Sequence, residues 1–284
     1  MKLLKSRTLW LLIPGMIFLI LPFYGMLAAV KESFFSLEGW TIEHYGSLFE
    51  SSRFLSSLGF SIRTALIATI LSLLLGLLLT KAFHKYLDNY RSRLSVWLPM
   101  LFPHFVWGYI VILLLSETGW LAKAAFELGM IQAPTDFPIW TRDDAGVGII
   151  LTYVWKEVPF VILMLYPVYA SIPSSYKDLV ATLGGGNWHV FKTVEWRAIF
   201  PAFIETGIII FAFTLTAYEV PYLLGTTFPE MISVLSYQWF YGGGWEERPM
   251  AFAAMIVISA MIGFLAWLSY RITIRSRFHS MKGN

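Results

Sequence analysis

The sequence predicts an all-α, polytopic membrane protein with six transmembrane helices, and three observations carry that expectation. Of the 284 residues, 57% are hydrophobic and only 14% charged, whereas a soluble globular chain carries about 25% charge. Six stretches, roughly 9–30, 58–80, 96–116, 146–170, 202–225 and 249–270, are long and apolar. A helix needs about 20 such residues to cross a ~30 Å hydrocarbon core, while apolar runs in soluble α/β chains are usually ~4–8 long. The alternating pattern of a membrane barrel is absent. Helices, which satisfy their backbone polar groups within one segment, are then the solution. The third observation is charge asymmetry. With the N-terminus placed in the cytoplasm, the inner segments hold 14 Lys/Arg and the outer loops five, with Arg63 and Lys156 inside spans. By the positive-inside rule, both termini are expected to be cytoplasmic.

The basic start MKLLKSR and the apolar run from Leu9 to Val30 resemble a signal peptide. The run exceeds the about 7–15 residues of a signal core and lacks a clear cleavage site, so a retained first helix is expected. In the outer loop after it, WTIEHYGSLFE suits a short amphipathic helix lying at the membrane surface. Span two gives way at Lys81 to a basic inner turn, and span three contains Pro99 and Pro103, which predict a kink. The second outer loop offers a short helix over WLAKAAFELGM. Span four carries Pro159 and Pro167, span five Pro221, and the third outer loop a glycine-rich bend, YGGGWEERP. The whole chain, 1–284, reads as one membrane domain.

Several chemistries find no signature. There is no GxxxxGK[ST] phosphate loop, no HExxH and no GxSxG elbow. Cysteine is absent and the five histidines are scattered, which gives no metal cluster. The ionisable residues inside spans are therefore the main candidates for function, because charge at membrane depth is costly. Arg63 lies near the outer boundary and Glu205 near the inner one, where pairing or snorkelling explains them. Lys156 and Glu157 are neighbours, so on a helix they point about 100° apart. Glu157 shares a face with Tyr153. Glu219 precedes Val220-Pro221, where a proline frees a carbonyl one turn earlier, and a broken helix beside a carboxylate resembles a solute-pathway element. Tyr153, Glu157, Tyr218 and Glu219 are the candidate pathway residues. His104 is placed to join them.

The segment 171–201, SIPSSYKDLVATLGGGNWHVFKTVEWRAIFP, is too structured for a mere connector. Ser174 and Ser175 suit a cap for a helix beginning near Tyr176, with Asp178 in its first turn and Gly184 ending it. A second helix is expected from about Asn187 to Ile199, with Pro201 following it and span five beginning beyond.

This segment resembles the EAA signature of permease subunits of bacterial binding-protein-dependent ABC importers. Asp178-Leu179-Val180 occupies the Glu-Ala-Ala position, Gly184 the glycine, and Val194-Glu195-Trp196-Arg197 the end of the pattern. Asp replaces Glu, Leu-Val replaces Ala-Ala, and Trp-Arg replaces Leu-Pro. The stretches TYVWKEVPFVILMLYPVYASIP and AYEVPYLLG look most like the spermidine/putrescine-type branch. The resemblance implies a type I importer permease fold in the bacterial inner membrane, with 171–201 as a coupling loop. Tyr176, Asp178, Leu179, Ala181, Leu183, Gly184, Trp188 and Phe191 would then meet an ATPase. It also implies a second permease, two ATP-binding subunits that carry ATP and Mg, and an extracytoplasmic solute-binding protein. No catalysis and no cofactor is expected on this chain. Polyamine or a related amine is the expected solute. The alternatives are a phosphonate or other anion importer of the same family, and, from another class, a secondary transporter or channel whose coupling-ion acids dominate.

Overall fold

The computed structural model describes the backbone of residues 2–36 and 39–281, and the side chains of 10, 12–36 and 39–273. Lys282, one of the inner basic residues, lies outside the described residues, as do the side chains of Lys2, Lys5, Arg7, Arg275 and Arg277. In chain order the helices are α1 (Lys2–Ser33), α2 (Glu43–Glu50), α3 (Ser52–Phe83), α4 (Tyr90–Trp97), α5 (His104–Leu115), α6 (Trp120–Glu127), α7 (Val147–Ala170), α8 (Ser174–Thr182), α9 (Asn187–Val190), α10 (Trp196–Thr216), α11 (Glu219–Leu224), α12 (Ile232–Tyr241) and α13 (Arg248–Met281). A two-residue antiparallel hairpin, β1 (Phe35–Ser36) with β2 (Gly39–Trp40), follows α1. Six helical segments are long and apolar enough to cross a membrane: Leu12–Ser33, Ser52–Phe83, His104–Glu127, Val147–Ala170, Asn187–Thr216 and Arg248–Thr273.

The chain forms two compact units. One is the chain up to Leu55 with Leu235–Met261; the other is Ser56–Val234 with the helix from Ile262 onward. In the first, α1 is apolar on every side and none of its apolar window is buried, which is how a lipid-facing span reads. There Phe54 stacks on Trp239 and Arg53 donates to Gln238 Oε1 at 2.6 Å.

The second unit is built on α7. An outer core joins Phe60 and Ala68 of α3 to Ile149, Ile150 and Tyr153 of α7 and to Val220, Leu224 and Met231. An inner core joins Leu73 and Leu77 of α3 to Val161, Leu165 and Tyr169 of α7 and to Ile199 and Ile210 of α10. Between α3 and α7 the backbone approach is close. A Cβ at Gly76 would stand 2.5 Å from Val161 Cβ, so only glycine lets the two helices meet there.

Two expectations about the spans need correction. Span three is broken rather than kinked. α4 ends at Trp97, a 3₁₀ turn covers Leu98–Leu101, and α5 starts at His104. Pro99 and Pro103 lack the N–H that would continue the ladder. Span five starts far earlier than residue 202. α9, a π turn over Phe191–Glu195 and α10 run on from Asn187 to Thr216, with Pro201 inside α10. The span then breaks at Ala217–Tyr218, and Pro221 sits in the first turns of α11, where its missing N–H costs nothing. α12, between α11 and the sixth span, has no counterpart among the sequence expectations.

Candidate coupling loop and membrane cavity

α7 closes at Ser171, whose Oγ donates to Val168 O at 2.7 Å. Pro173 comes next but one, with φ −62° and ψ 135°, an extended conformation that turns the chain into α8. The serines do not cap this helix. Pro173 holds the N-cap position, Ser174 is the first helical residue, and no side-chain cap bond forms; Asp178, the fifth residue, lies beyond the first turn. A proline there suits a helix start because its φ is already near the helical value.

The other end matches the sequence expectation. Leu183 is the C-cap and Gly184 has φ +81°. Gly185 N–H donates to Val180 O at 2.9 Å and Gly184 N–H to Ala181 O at 3.0 Å. This pair of bonds is the Schellman motif, which satisfies the last carbonyls of a helix through a left-handed residue.

α8 is thus a short rod held at both ends by turns. Tyr176, Asp178, Leu179, Ala181, Leu183, Gly184 and Trp188 are all exposed, Leu183 at 80% and Trp188 at 67%. Phe191 differs. It is half-buried, stacks on Trp188 at 5.6 Å, and has Lys81 Nζ 4.1 Å from its ring centre. Between α8 and α10 lies an open groove of about 660 Å³ lined by Tyr176, Leu179, Val180, Thr193, Arg197 and Pro201 among others.

The loop also contains a buried carboxylate. Glu195, in the π turn, is 5% exposed. Its Oε1 is 3.0 Å from Lys177 Nζ of α8 and its Oε2 is 3.6 Å from Lys81 Nζ of α3. Tyr169 of α7 donates its hydroxyl to Oε2 at 3.5 Å. The sequence signal was one of two acids in a basic loop, which spacing alone does not separate from a solvated residue.

Within the membrane region a cavity of about 270 Å³ is lined by Met100, His104, Lys156, Glu157, Phe160, Ile209, Ile210 and Phe213. His104 Nε2 and Glu157 Oε1 are 3.2 Å apart. Lys156 faces the broken third span, and its Nζ donates to the carbonyls of Phe102, Pro99 and Met100 at 2.6, 3.1 and 3.4 Å. An ammonium at membrane depth costs about 2.5–3.5 kcal/mol. A hydrogen bond from a charged donor returns about 1.5–3 kcal/mol, so three carbonyls offset that cost. The proline break that frees those carbonyls and the lysine that takes them are complementary halves of one device.

The pathway residues divide. Glu157 opens into the cavity. Tyr153 is fully buried behind it, with its ring 6.1 Å from both His104 and Phe213. Glu219 is exposed at the start of α11, where Tyr218 stacks on Tyr222 at 5.1 Å. Ile209 and Phe213, spaced i, i+4 on α10, line the cavity, and helical spacing alone did not distinguish them from packing residues. Arg63 donates to Asp144 O at 2.6 Å, away from the cavity. Among the described residues no cluster of three His, Asp or Glu is placed to hold a metal.

Six membrane-length helices, broken third and fifth spans around a small cavity, and a rod-like loop joining spans four and five define a multi-pass transport protein. The chain belongs to the family of binding-protein-dependent transport system inner membrane components, whose model matches residues 72–278. It is thus the permease component of an ABC importer, a membrane subunit rather than a catalytic one. The chain is 26% identical over 192 residues to the molybdenum transport system permease protein ModB of Azotobacter vinelandii, covering 66% of this chain and 79% of that protein. It is 23% identical over 252 residues to a probable sulfate transport system permease protein of Marchantia polymorpha, covering 86% and 81%. A thiamine transport system permease of Escherichia coli is 24% identical over 192 residues, which span 65% of this chain and 34% of that protein. Among solved structures, a bacterial ABC transporter involved in the import of the acidic polysaccharide alginate superposes with a TM-score of 0.73 at 19% identity, over 97% of this chain and 99% of that one. The fold is that of a type I importer permease. These relatives do not single out polyamines.

Proposed function

We propose that this permease imports a small organic amine, a polyamine or a related cation, and that 171–201 is its coupling loop. The cavity supports the first part. Lys156 sits on its wall, but its donors are directed to three backbone carbonyls, and Arg63 is bound elsewhere. An oxyanion needs free donors. An ammonium needs an acceptor beside apolar walls, and the Glu157 carboxylate, one oxygen of which contacts His104, shares the cavity lining with Phe160, Ile209 and Phe213. The exposed apolar residues of α8 support the second part, since a rigid rod bearing Tyr176, Leu179 and Leu183 suits insertion into a groove of a cytoplasmic ATPase.

In this reading two ATP-binding subunits, a second permease and an extracytoplasmic solute-binding protein complete the importer. The termini and 171–201 lie in the cytoplasm of a bacterium, and ATP and Mg bind the partner subunits. A crystallised alginate transporter carries a periplasmic protein, which is in keeping with such an assembly. A second reading, an oxyanion solute, is favoured by the molybdenum and sulfate permeases among the relatives.

Uptake of radiolabelled spermidine and of molybdate by cells expressing the complete importer separates the two. Glu157→Gln should cut amine uptake at least tenfold with the chain still inserted. Molybdate uptake that survives Glu157→Gln, with no spermidine uptake in the parent, favours the oxyanion reading.

A further inference from the structure

The two covalent connections of α8 are a proline-led turn to α7 and a run of three glycines to α9. Both are short turns held by backbone hydrogen bonds. A side-chain tie between α8 and the spans is the Glu195 carboxylate. One oxygen meets Lys177 of α8, and the other meets Lys81 at the end of α3 and the hydroxyl of Tyr169 at the end of α7. Lys81 is held further by the Phe191 ring, and Tyr169 by stacking of His84 at 5.6 Å.

Three elements thus converge on one buried side chain, and the segment that carries it is a π turn, Phe191–Glu195. A π turn contains one residue more than an α turn, so it rotates the helix beyond it by about 100° relative to an unbroken one. Such turns persist where that rotation serves a purpose. Here it helps set a carboxylate on span five against an amine on α8.

We propose that Glu195 is the positioning residue of the coupling movement: its carboxylate carries a displacement of α8 to the inner ends of α3 and α7. This rests on the reading of 171–201 as the coupling loop. The carboxylate acts through Lys177, Lys81 and Tyr169 and touches neither solute nor nucleotide. Glutamine fills the same volume, so a packing role survives Glu195→Gln and a charge-linked role does not.

The chain has no cysteine, so a Phe213→Cys reporter in the cavity wall is the sole thiol of this subunit. The measurement is its labelling rate by a charged methanethiosulfonate in the importer purified with its ATPase subunits, with and without ATP–Mg and vanadate. The parent should change labelling at least fivefold on trapping. Glu195→Gln and Lys177→Met should each reduce that change below twofold while the ATPases still trap vanadate, and Glu195→Asp should retain a clear response. The two effects should not multiply when Glu195→Gln and Lys177→Met are combined, because they break the same contact. A parent-like response in both single variants overturns the proposal. If Glu195→Gln fails to assemble, Lys177→Met decides, since it leaves Glu195 with Lys81 and Tyr169. Leu179→Glu, on the exposed face of α8, tests the underlying reading. Should it still capture the ATPase and still show the nucleotide response, the coupling-loop reading falls. Should it lose both while Glu195→Gln responds like the parent, only the Glu195 proposal falls. A parent that shows no response overturns both.

Discussion

The three consecutive glycines after α8 should respond to alanine in three different ways. Gly184 has φ +81°, and a side chain in the left-handed region costs roughly 1–2 kcal/mol. A Cβ there would touch nothing within 4 Å, so the whole cost is conformational. Gly185 is different: its Cβ would stand 2.6 Å from Val180 Cγ1 and 2.9 Å from Val180 O. Overpacking of this kind costs about 1–3 kcal/mol. Gly186 has φ −80° and ψ −177° with open space beside it. Alanine there removes unfolded-state freedom and stabilises by about 0.4–1 kcal/mol. Gly184→Ala therefore loosens the end of α8 by about five- to thirtyfold, whereas Gly184→Asn loses less, because asparagine visits the left-handed region more readily. Hydrogen exchange at the Gly184 and Gly185 amides, which hold the Schellman bonds, reads this directly. Gly184→Val should accelerate exchange most, and should uncouple ATP hydrolysis from uptake with the protein still inserted. Equal damage from Gly186→Ala and Gly184→Ala refutes the reasoning, as does a Gly184→Asn variant no better than Gly184→Val.

The broken third span and the α3–α7 contact make further stability predictions. Lys156→Met removes the donor from Met100 O and Phe102 O, while Pro99 O keeps the Trp107 indole N–H at 3.1 Å. Backbone carbonyls left unpaired at membrane depth are costly; a clear fall in the thermal midpoint in detergent is expected, and an unchanged midpoint contradicts the assignment. Gly76→Val places a branched side chain against Val161, whose Cβ already lies 2.5 Å from where a Cβ at position 76 would stand. A loss of about 1–3 kcal/mol, or failure to accumulate in the membrane, is the expected result, and a companion Gly25→Val, with nothing within 4 Å, should be silent in the same assay.

The spans were legible because bilayer thickness sets a length that apolar runs either reach or do not. α7 differs from its expected span by one residue at its start. The helix breaks were not legible to the same degree. Pro99 and Pro103 announce a disturbance, but the choice between a kink and a 3₁₀ break depends on whether a donor is present for the freed carbonyls. That donor, Lys156, is more than fifty residues away in sequence. Pro159, Pro167 and Pro201 look the same in the sequence and leave their helices continuous. In the loop, Gly184 was readable because a left-handed C-cap has a residue preference. The cap at the other end was misread because two serines and a proline compete for one position. The acid at Glu195 was unreadable: its partners come from α3, α7 and α8, which only the fold assembles.

α7 is the element that connects the loop to the cavity. It contributes Tyr169 to the Glu195 cluster and Glu157 to the cavity, twelve residues and therefore about 18 Å apart along one helix. Between them Val161 is pinned against Gly76 of α3, and Leu165 lies in the inner core with Ile199 and Ile210 of α10. A helix so held moves as a body rather than by bending at one residue. Its neighbour Lys156 is bonded to the carbonyls of the third span, so a shift of α7 draws that broken segment with it, and His104, two residues beyond Phe102, goes along. The His104–Glu157 contact joins the same two pieces and is carried with them. A single lysine on α7 thus does for the cavity wall the same thing that Lys177 is proposed to do for α8: it converts a polar contact into a mechanical link, and this gives a physical reason for a charge in a span that an apolar residue would occupy at lower cost.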